Sequence, residues 1–198
     1  MTTSWPSTRR IVSALVNAPA LRGTQHTTIT AVPIVSPNVR IRVEEHFEVG
    51  EHSIVDDYCY FSTRVRIGDW THIATGCSVA GGPDRTFSVG DFSSLSAGVR
   101  IWCTSNDFVN DAIMIGAAPG ITGDVSFGDH SGVGANSVVL PRNEIPDGVA
   151  IGALSLVPPE FSFEPWTVYA GIPIARVKAR NRENVLRQVD EFLKRQGE

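Results

Sequence analysis

Apolar residues recur at every sixth position through the middle of this chain, with small or polar residues between them. The stretch Val49-Gly50-Glu51-His52-Ser53-Ile54-Val55 returns as Ile67-Gly68-Asp69-Trp70-Thr71-His72-Ile73, then as Val89-Gly90-Asp91-Phe92-Ser93-Ser94-Leu95. A further copy is Phe127-Gly128-Asp129-His130-Ser131-Gly132-Val133, and a weaker one opens on Ile145. Hexads opening on Val55, Phe61, Ile73, Val79, Leu95, Ile101, Val133, Val139, Ile151 and Val157 fill the intervals. A spacing of six fits neither the helical nor the coiled-coil period. A short strand and a turn per hexad, three times round, makes a triangular coil of eighteen residues. The opening residue points inward, and the residue four later lies near a corner that admits only a small group. Such coils stack at about 4.8 Å and bury their inner faces only against one another. The pattern predicts an all-β parallel β-helix solenoid of about five to six 18-residue coils over residues 39–158.

Two breaks in the period locate excursions. Four extra residues between Ile67 and Val89 predict a short corner loop around Gly81-Gly82-Pro83-Asp84-Arg85. Twenty extra residues between Val89 and Phe127 predict an extruded loop over 107–126. A loop that long in a solenoid is usually functional. Residues 1–38 lie outside the repeat. Ile11, Val12, Leu15 and Val16 fit a short amphipathic helix, and Pro19, Pro33 and Pro37 break the rest of the segment into extended or turn pieces. This segment is expected to pack on the first coils. Residues 159–198 read as a connector, a strand over 166–170, a turn at Gly171-Ile172-Pro173 and a C-terminal α-helix from Arg180. Val185, Leu186, Val189, Phe192 and Leu193 fall on one face of that helix.

Composition narrows the function. A formal charge of −4 argues against nucleic acid as a partner, since phosphate-binding surfaces carry basic excess. The three cysteines make no disulfide framework. Cys59 and Cys77, eighteen apart, are expected to stack on one inner column as reduced thiols. No apolar run is long enough to span a membrane, and the short run after Arg9-Arg10 is interrupted by Asn17. A cytoplasmic location is expected.

Of the five histidines, His46, His52 and His130 take the fourth place of their hexads, an outward position expected to be solvated. His72 ends a hexad at a corner, with Ile54 one coil below and Ser94 one coil above. Trp70 and Phe92 share an outward column, which points to a subunit interface. A zinc site needs three converging histidines. Only His46 and His52 are close in sequence, and they lie on successive faces, so no metal is expected.

The C-terminal coils carry a more specific pattern. It runs Gly132-Val133-Gly134-Ala135-Asn136-Ser137-Val138-Val139-Leu140-Pro141, then Ile151-Gly152-Ala153-Leu154-Ser155-Leu156-Val157, and closes on Val168-Tyr169-Ala170-Gly171-Ile172-Pro173. Over about residues 43–180 the chain resembles the hexapeptide-repeat acyltransferases, whose fold is a left-handed parallel β-helix. Within them it is most similar to the sugar and xenobiotic O-acetyltransferase branch that includes galactoside acetyltransferase. The resemblance implies a homotrimer with active sites in clefts between adjacent β-helices, acetyl-CoA lying along each cleft, and an extruded loop shaping the acceptor pocket. It implies acetyl transfer to a hydroxyl of a sugar or other small acceptor, by direct attack assisted by a histidine base. Imidazole suits that work because its ordinary titration lies near neutrality.

The family's loop histidine is missing here. The matching run is Cys103-Thr104-Ser105-Asn106-Asp107-Phe108, which offers Asn106 and Asp107 in its place. His72 and Asp107 both stand as candidates for the base. The resemblance assigns Ala135 and Ala153 to the pantetheine arm and Lys178 and Arg180 to the phosphates of acetyl-CoA, with Arg176 compensating for Ala175. N-acetylation of an amino-sugar nucleotide is a close variant, and a non-catalytic β-helix scaffold is a reading from a different class.

Overall fold

The computed structural model describes residues 31–106 and 120–197. The chain winds into a parallel β-solenoid of about six turns, followed by one C-terminal helix. Each turn contributes one short strand to each of three faces. On the first face Ile34–Val35, Ile54–Val55, His72–Ile73, Ser94–Leu95, Gly132–Val133 and Ala150–Ile151 pair in parallel, one rung above the next. Thr167–Ala170 adds a further rung. The first rung thus falls at Ile34, inside the segment set apart by sequence as 1–38.

The interior is built by the six-residue period. Val55, Ile73, Leu95, Val133 and Ile151 line one wall and are almost wholly buried. Ile67, Val89, Phe127 and Ile145 line the second face, and Phe61, Val79, Ile101, Val139 and Val157 the third. Each such aliphatic side chain contributes about 1.5–3 kcal/mol by leaving water. Cys59 and Cys77 are buried on adjacent rungs, as their spacing predicts. Cys103 is buried too, and burial pushes its thiol up to about 12, which leaves it protonated and inert near neutrality.

The corner between the second and first faces is tied by side chains as well as backbone. The Glu51 amide donates to Asp69 Oδ1 at 2.8 Å, the Asp69 amide to Asp91 at 2.7 Å, the Asp91 amide to Asp129 at 2.8 Å and the Asp129 amide to Asp147 at 3.0 Å. Behind this ladder Ser53 Oγ donates to the Gly68 carbonyl and Thr71 Oγ1 to that of Gly90, both at 2.7 Å. Buried hydroxyls at these positions therefore satisfy turn carbonyls that water cannot reach.

Two excursions differ from the expected loops. The strand Ser78–Val89 passes unbroken through Gly81–Arg85, and the extra residues form a bulge against Tyr60–Ile67. Thr63 Oγ1 donates to the Arg85 carbonyl and pins that bulge. At the base of the long excursion Thr104–Ser105 pairs antiparallel with Ile121–Thr122, and Val125–Phe127 is already a rung of the second face. The coil therefore closes several residues before 126.

After Thr167–Ala170 the chain reverses into Ala175–Ala179, antiparallel to it, and enters the helix Arg182–Gln196. Asn181 caps the helix, accepting from the Asn184 amide at 3.0 Å. Val185, Val189, Phe192 and Leu193 are half-buried while Leu186 is exposed.

Candidate active site

His72 stands on the outer side of the first face, in register with Ile54 below and Ser94 above. Its side chain is about half exposed, and Nε2 lies 2.8 Å from Asp56 Oδ2. Asp56 belongs to the coil below, at the exit of the first-face strand. With Nε2–H donated to this carboxylate, Nδ1 carries the free lone pair. An imidazole oriented by a carboxylate and open to solvent on its other nitrogen has the form of a general base. Sequence reasoning singled out His72 and gave no sign of Asp56. The eighteen-residue register sets Asp56 level with Ala74, and the contact is made on the diagonal.

Above His72 the outward positions of the same column shrink to Ser94, Gly132 and Ala150, before Val168 and then Lys178. A Cβ added at Gly132 meets nothing within 4 Å, so this strip is open as well as smooth. From His72 to Lys178 is five rung steps, or about 24 Å at the usual strand spacing. The geometry suits a long, thin ligand with a reactive group near His72 and an anionic end near Lys178.

Ala135 and Ala153, expected at the pantetheine arm, sit at the adjoining corner, where the Leu154 amide donates to the Ala135 carbonyl at 2.9 Å. Both lie beside the smooth strip. Lys178 is exposed and has no ion-pair partner among the described residues. Arg176 is exposed but paired with Glu164 at 3.2 Å. Arg180 is engaged inside the fold: its guanidinium donates to the carbonyls of His130 and of Gly148 (3.0 Å) and lies over the Trp166 ring at 5.9 Å. Burial pulls its pKa below the ordinary value. Asn106 is exposed at the root of the long excursion, on the corner opposite the first face, so one chain does not bring it to His72. Asp107 lies outside the described residues.

The expectation that His52 and His130 are solvated is corrected. His52 and His130 are half-buried. His52 stacks on Trp70 at 3.8 Å between ring centroids, Trp70 is followed by Phe92 at 6.1 Å, and Phe92 by His130 at 5.6 Å. Trp166 leans over Gly148 to reach His130 at 5.7 Å. This aromatic column is covered in part by the chain itself, since Phe192 of the helix meets Trp70 edge-on at 4.9 Å. At the helix start the Arg182 guanidinium lies 5.5 Å over Trp166. The helix runs lengthwise along the column and covers part of it.

A groove of about 760 Å³ runs along the second face past Asp91, Asp129, Asp147 and Glu144 to Phe163. Its acidic lining repels phosphates, so it does not suit a coenzyme A donor despite its size. Among the described residues no group of three His, Cys, Asp or Glu is placed to hold a metal ion, and no helix is long and apolar enough to cross a membrane.

No protein-family model matches the chain. A curated relative, dTDP-4-amino-4,6-dideoxy-D-glucose acyltransferase of Escherichia coli, is 31% identical over 163 residues, which cover 75% of this chain and 83% of the relative. Among solved structures, the N-acyltransferase AntD from Bacillus cereus, in complex with dTDP and 3-hydroxybutyryl-CoA, superposes with a TM-score of 0.75. It is 30% identical, covering 84% of this chain and 89% of AntD. A maltose O-acetyltransferase from Clostridium difficile 630 superposes with a TM-score of 0.52 at 21% identity over 76% of this chain and 68% of its own. That likeness is one of fold.

Proposed function

This chain belongs to the hexapeptide-repeat acyltransferases, and from that premise we propose that it transfers an acyl group from an acyl-CoA to the amino group of a nucleotide-linked amino sugar. The observation that carries this reading is the relationship to an amino-sugar nucleotide acyltransferase along most of both chains. It favours the amine acceptor over the hydroxyl that the galactoside-type resemblance implies. The smooth strip leading to Lys178 supports the donor half, and the His72–Asp56 pair supports the chemistry.

In this reading the pantetheine arm lies along Ser94, Gly132 and Ala150, flanked by Ala135 and Ala153, and Lys178 meets the phosphates. The acceptor nitrogen attacks the thioester carbonyl, so a C–N bond forms as the C–S bond breaks. His72 Nδ1 takes the proton from the attacking nitrogen, and Asp56 stabilises the imidazolium. The departing thiolate then takes up that proton. An open strip on one face leaves water beside a thioester, and a neighbouring copy in a homotrimer supplies the second wall.

Thiol release from acetyl-CoA or 3-hydroxybutyryl-CoA, measured with dTDP-4-amino-4,6-dideoxyglucose and with maltose, tests the acceptor. Turnover is expected with the amine alone, and faster turnover with maltose would overturn the reading. His72→Ala is expected to lower kcat by about 10²–10⁴ with KM little changed, and Asp56→Asn by a smaller factor. Full activity in His72→Ala, with loss in Asp107→Ala or Asn106→Ala, moves the base to the loop root.

A further inference from the structure

We propose that Arg40 and Arg42, set against Tyr60 on the third face of the first two coils, form the subsite for the diphosphate of the nucleotide acceptor. This rests on the reading of the chain as an acyltransferase for nucleotide-linked amino sugars.

The third face is basic in its lower half and nowhere acidic. Arg40 pairs in register with Tyr60, Tyr60 with Ser78, and Ser78 with Arg100, so these four side chains form one outward column. The next outward column holds Arg42, Ser62, Ala80 and Trp102. The Arg42 amide donates to the Phe61 carbonyl at 2.9 Å, which fixes its place in the rung, and its guanidinium lies 5.8 Å over the Tyr60 ring. No carboxylate occupies an outward position on this face among the described residues.

The contrast with the second face is informative. There Arg66 is matched by Glu48 at 3.6 Å, and at the corner leading into that face Arg142 is matched by Glu160 at 3.1 Å. On a chain with a formal charge of −4, an uncompensated group of arginines concentrates positive potential where a dianion can use it. Arg40 and Arg42 are exposed and form no ion pair among the described residues, so their guanidinium forks are available for bidentate contact with phosphate oxygens. The Tyr60 ring holds the Arg42 guanidinium in place by a cation–π contact. Arg100 is partly committed, donating to the Gly98 carbonyl at 2.8 Å, and adds to the field.

The position also fits. Asp56, which holds His72, and Tyr60 lie in the same coil, separated by a single turn at Asp57 and Tyr58. A two-substrate enzyme whose donor and acceptor both carry diphosphates needs two separate cationic sites. Lys178 stands at the far end of the solenoid from Arg40 and Arg42, and so the two ends divide the two ligands.

Binding of dTDP to the full chain by calorimetry, with the Arg40→Ala/Arg42→Ala double variant as comparison, tests the subsite. The double variant is expected to weaken dTDP binding at least about tenfold and to raise KM for the amino-sugar nucleotide by a similar factor. KM for acyl-CoA and kcat are expected to stay near wild type. Arg40→Lys/Arg42→Lys is expected to recover part of the loss, and added salt is expected to narrow the difference. Unchanged dTDP affinity in the double variant, with a wild type that acylates the amino sugar, overturns this subsite alone. A rise in KM for acyl-CoA instead assigns the arginines to the donor and overturns it too. A wild type that neither binds dTDP nor uses its amino sugar overturns the acceptor assignment along with the subsite.

Discussion

At the scale of single residues, the corner that joins the second and first faces is the most constrained part of the molecule. His52, Trp70, Phe92, His130 and Trp166 all hold a left-handed backbone, with φ between 51° and 58°, a conformation that costs a residue with a Cβ. Their ring stacking offsets that cost. Gly148, at φ 71°, interrupts the series because a Cβ there would overlap the Trp166 ring. His130 Nδ1 is buried without a hydrogen-bond partner among the described residues, and burial holds the imidazole below its ordinary pKa against the opposing pull of Asp129, Asp147 and Asp91. Arg180 acts in the same direction as burial. The unfolded chain therefore binds this proton first as pH falls. The His130 contribution to stability is complete above about pH 6.5 and is lost as pH drops through that value towards the folded-state pKa. Urea midpoints measured across this range should fall on the acid side in wild type and fall less in His130→Phe. Equal slopes would show that His130 is not the titrating group.

At the scale of elements, the six-residue period made the rungs and the inner columns legible, and the helical spacing of Val185 to Leu193 the C-terminal helix, because each depends on neighbours at fixed separation. The period could not show what crosses it. The bulge at Gly81–Arg85 looked like a loop because its closing bond comes from Thr63 in the coil below. Asp56 escaped notice because its bond to His72 skips diagonally between rungs. The docking of Phe192 on Trp70 joins residues with no local signal in common. That contact, with the Asn181 cap, holds the helix to the corner. Asn181→Ala should cost about 1 kcal/mol in helix stability. Phe192→Ala should expose 182–196 to limited proteolysis while the solenoid stays resistant. If the helix remains as protected as in wild type, its docking lies mainly in Val185, Val189 and Leu193.

At the scale of the whole molecule, coils that bury their faces only against neighbours make stability a sum of adjacent contacts. Three of the inner phenylalanines, Phe47, Phe61 and Phe87, lie in the lower coils. The His72–Asp56 pair and the arginines of the third face stand on those same rungs. The upper coils present small residues on the first face and end in Lys178. One chain thus offers the His72–Asp56 pair and two cationic ends on open surfaces. Sedimentation equilibrium should therefore report three chains per particle at concentrations where the enzyme turns over. An active particle of one chain would end the shared-cleft reading.

The aromatic column has a practical use that its geometry makes possible. Trp70 lies between a histidine ring stacked on its face and a phenylalanine edge carried by the last helix, so its indole emission is an internal gauge. With the other tryptophans replaced by phenylalanine, a shift in its wavelength would mark departure of the helix, and a change in its intensity would follow loss of the His52 ring from its face. A single optical channel could then time the detachment of the chain's end separately from the collapse of the tube it covers.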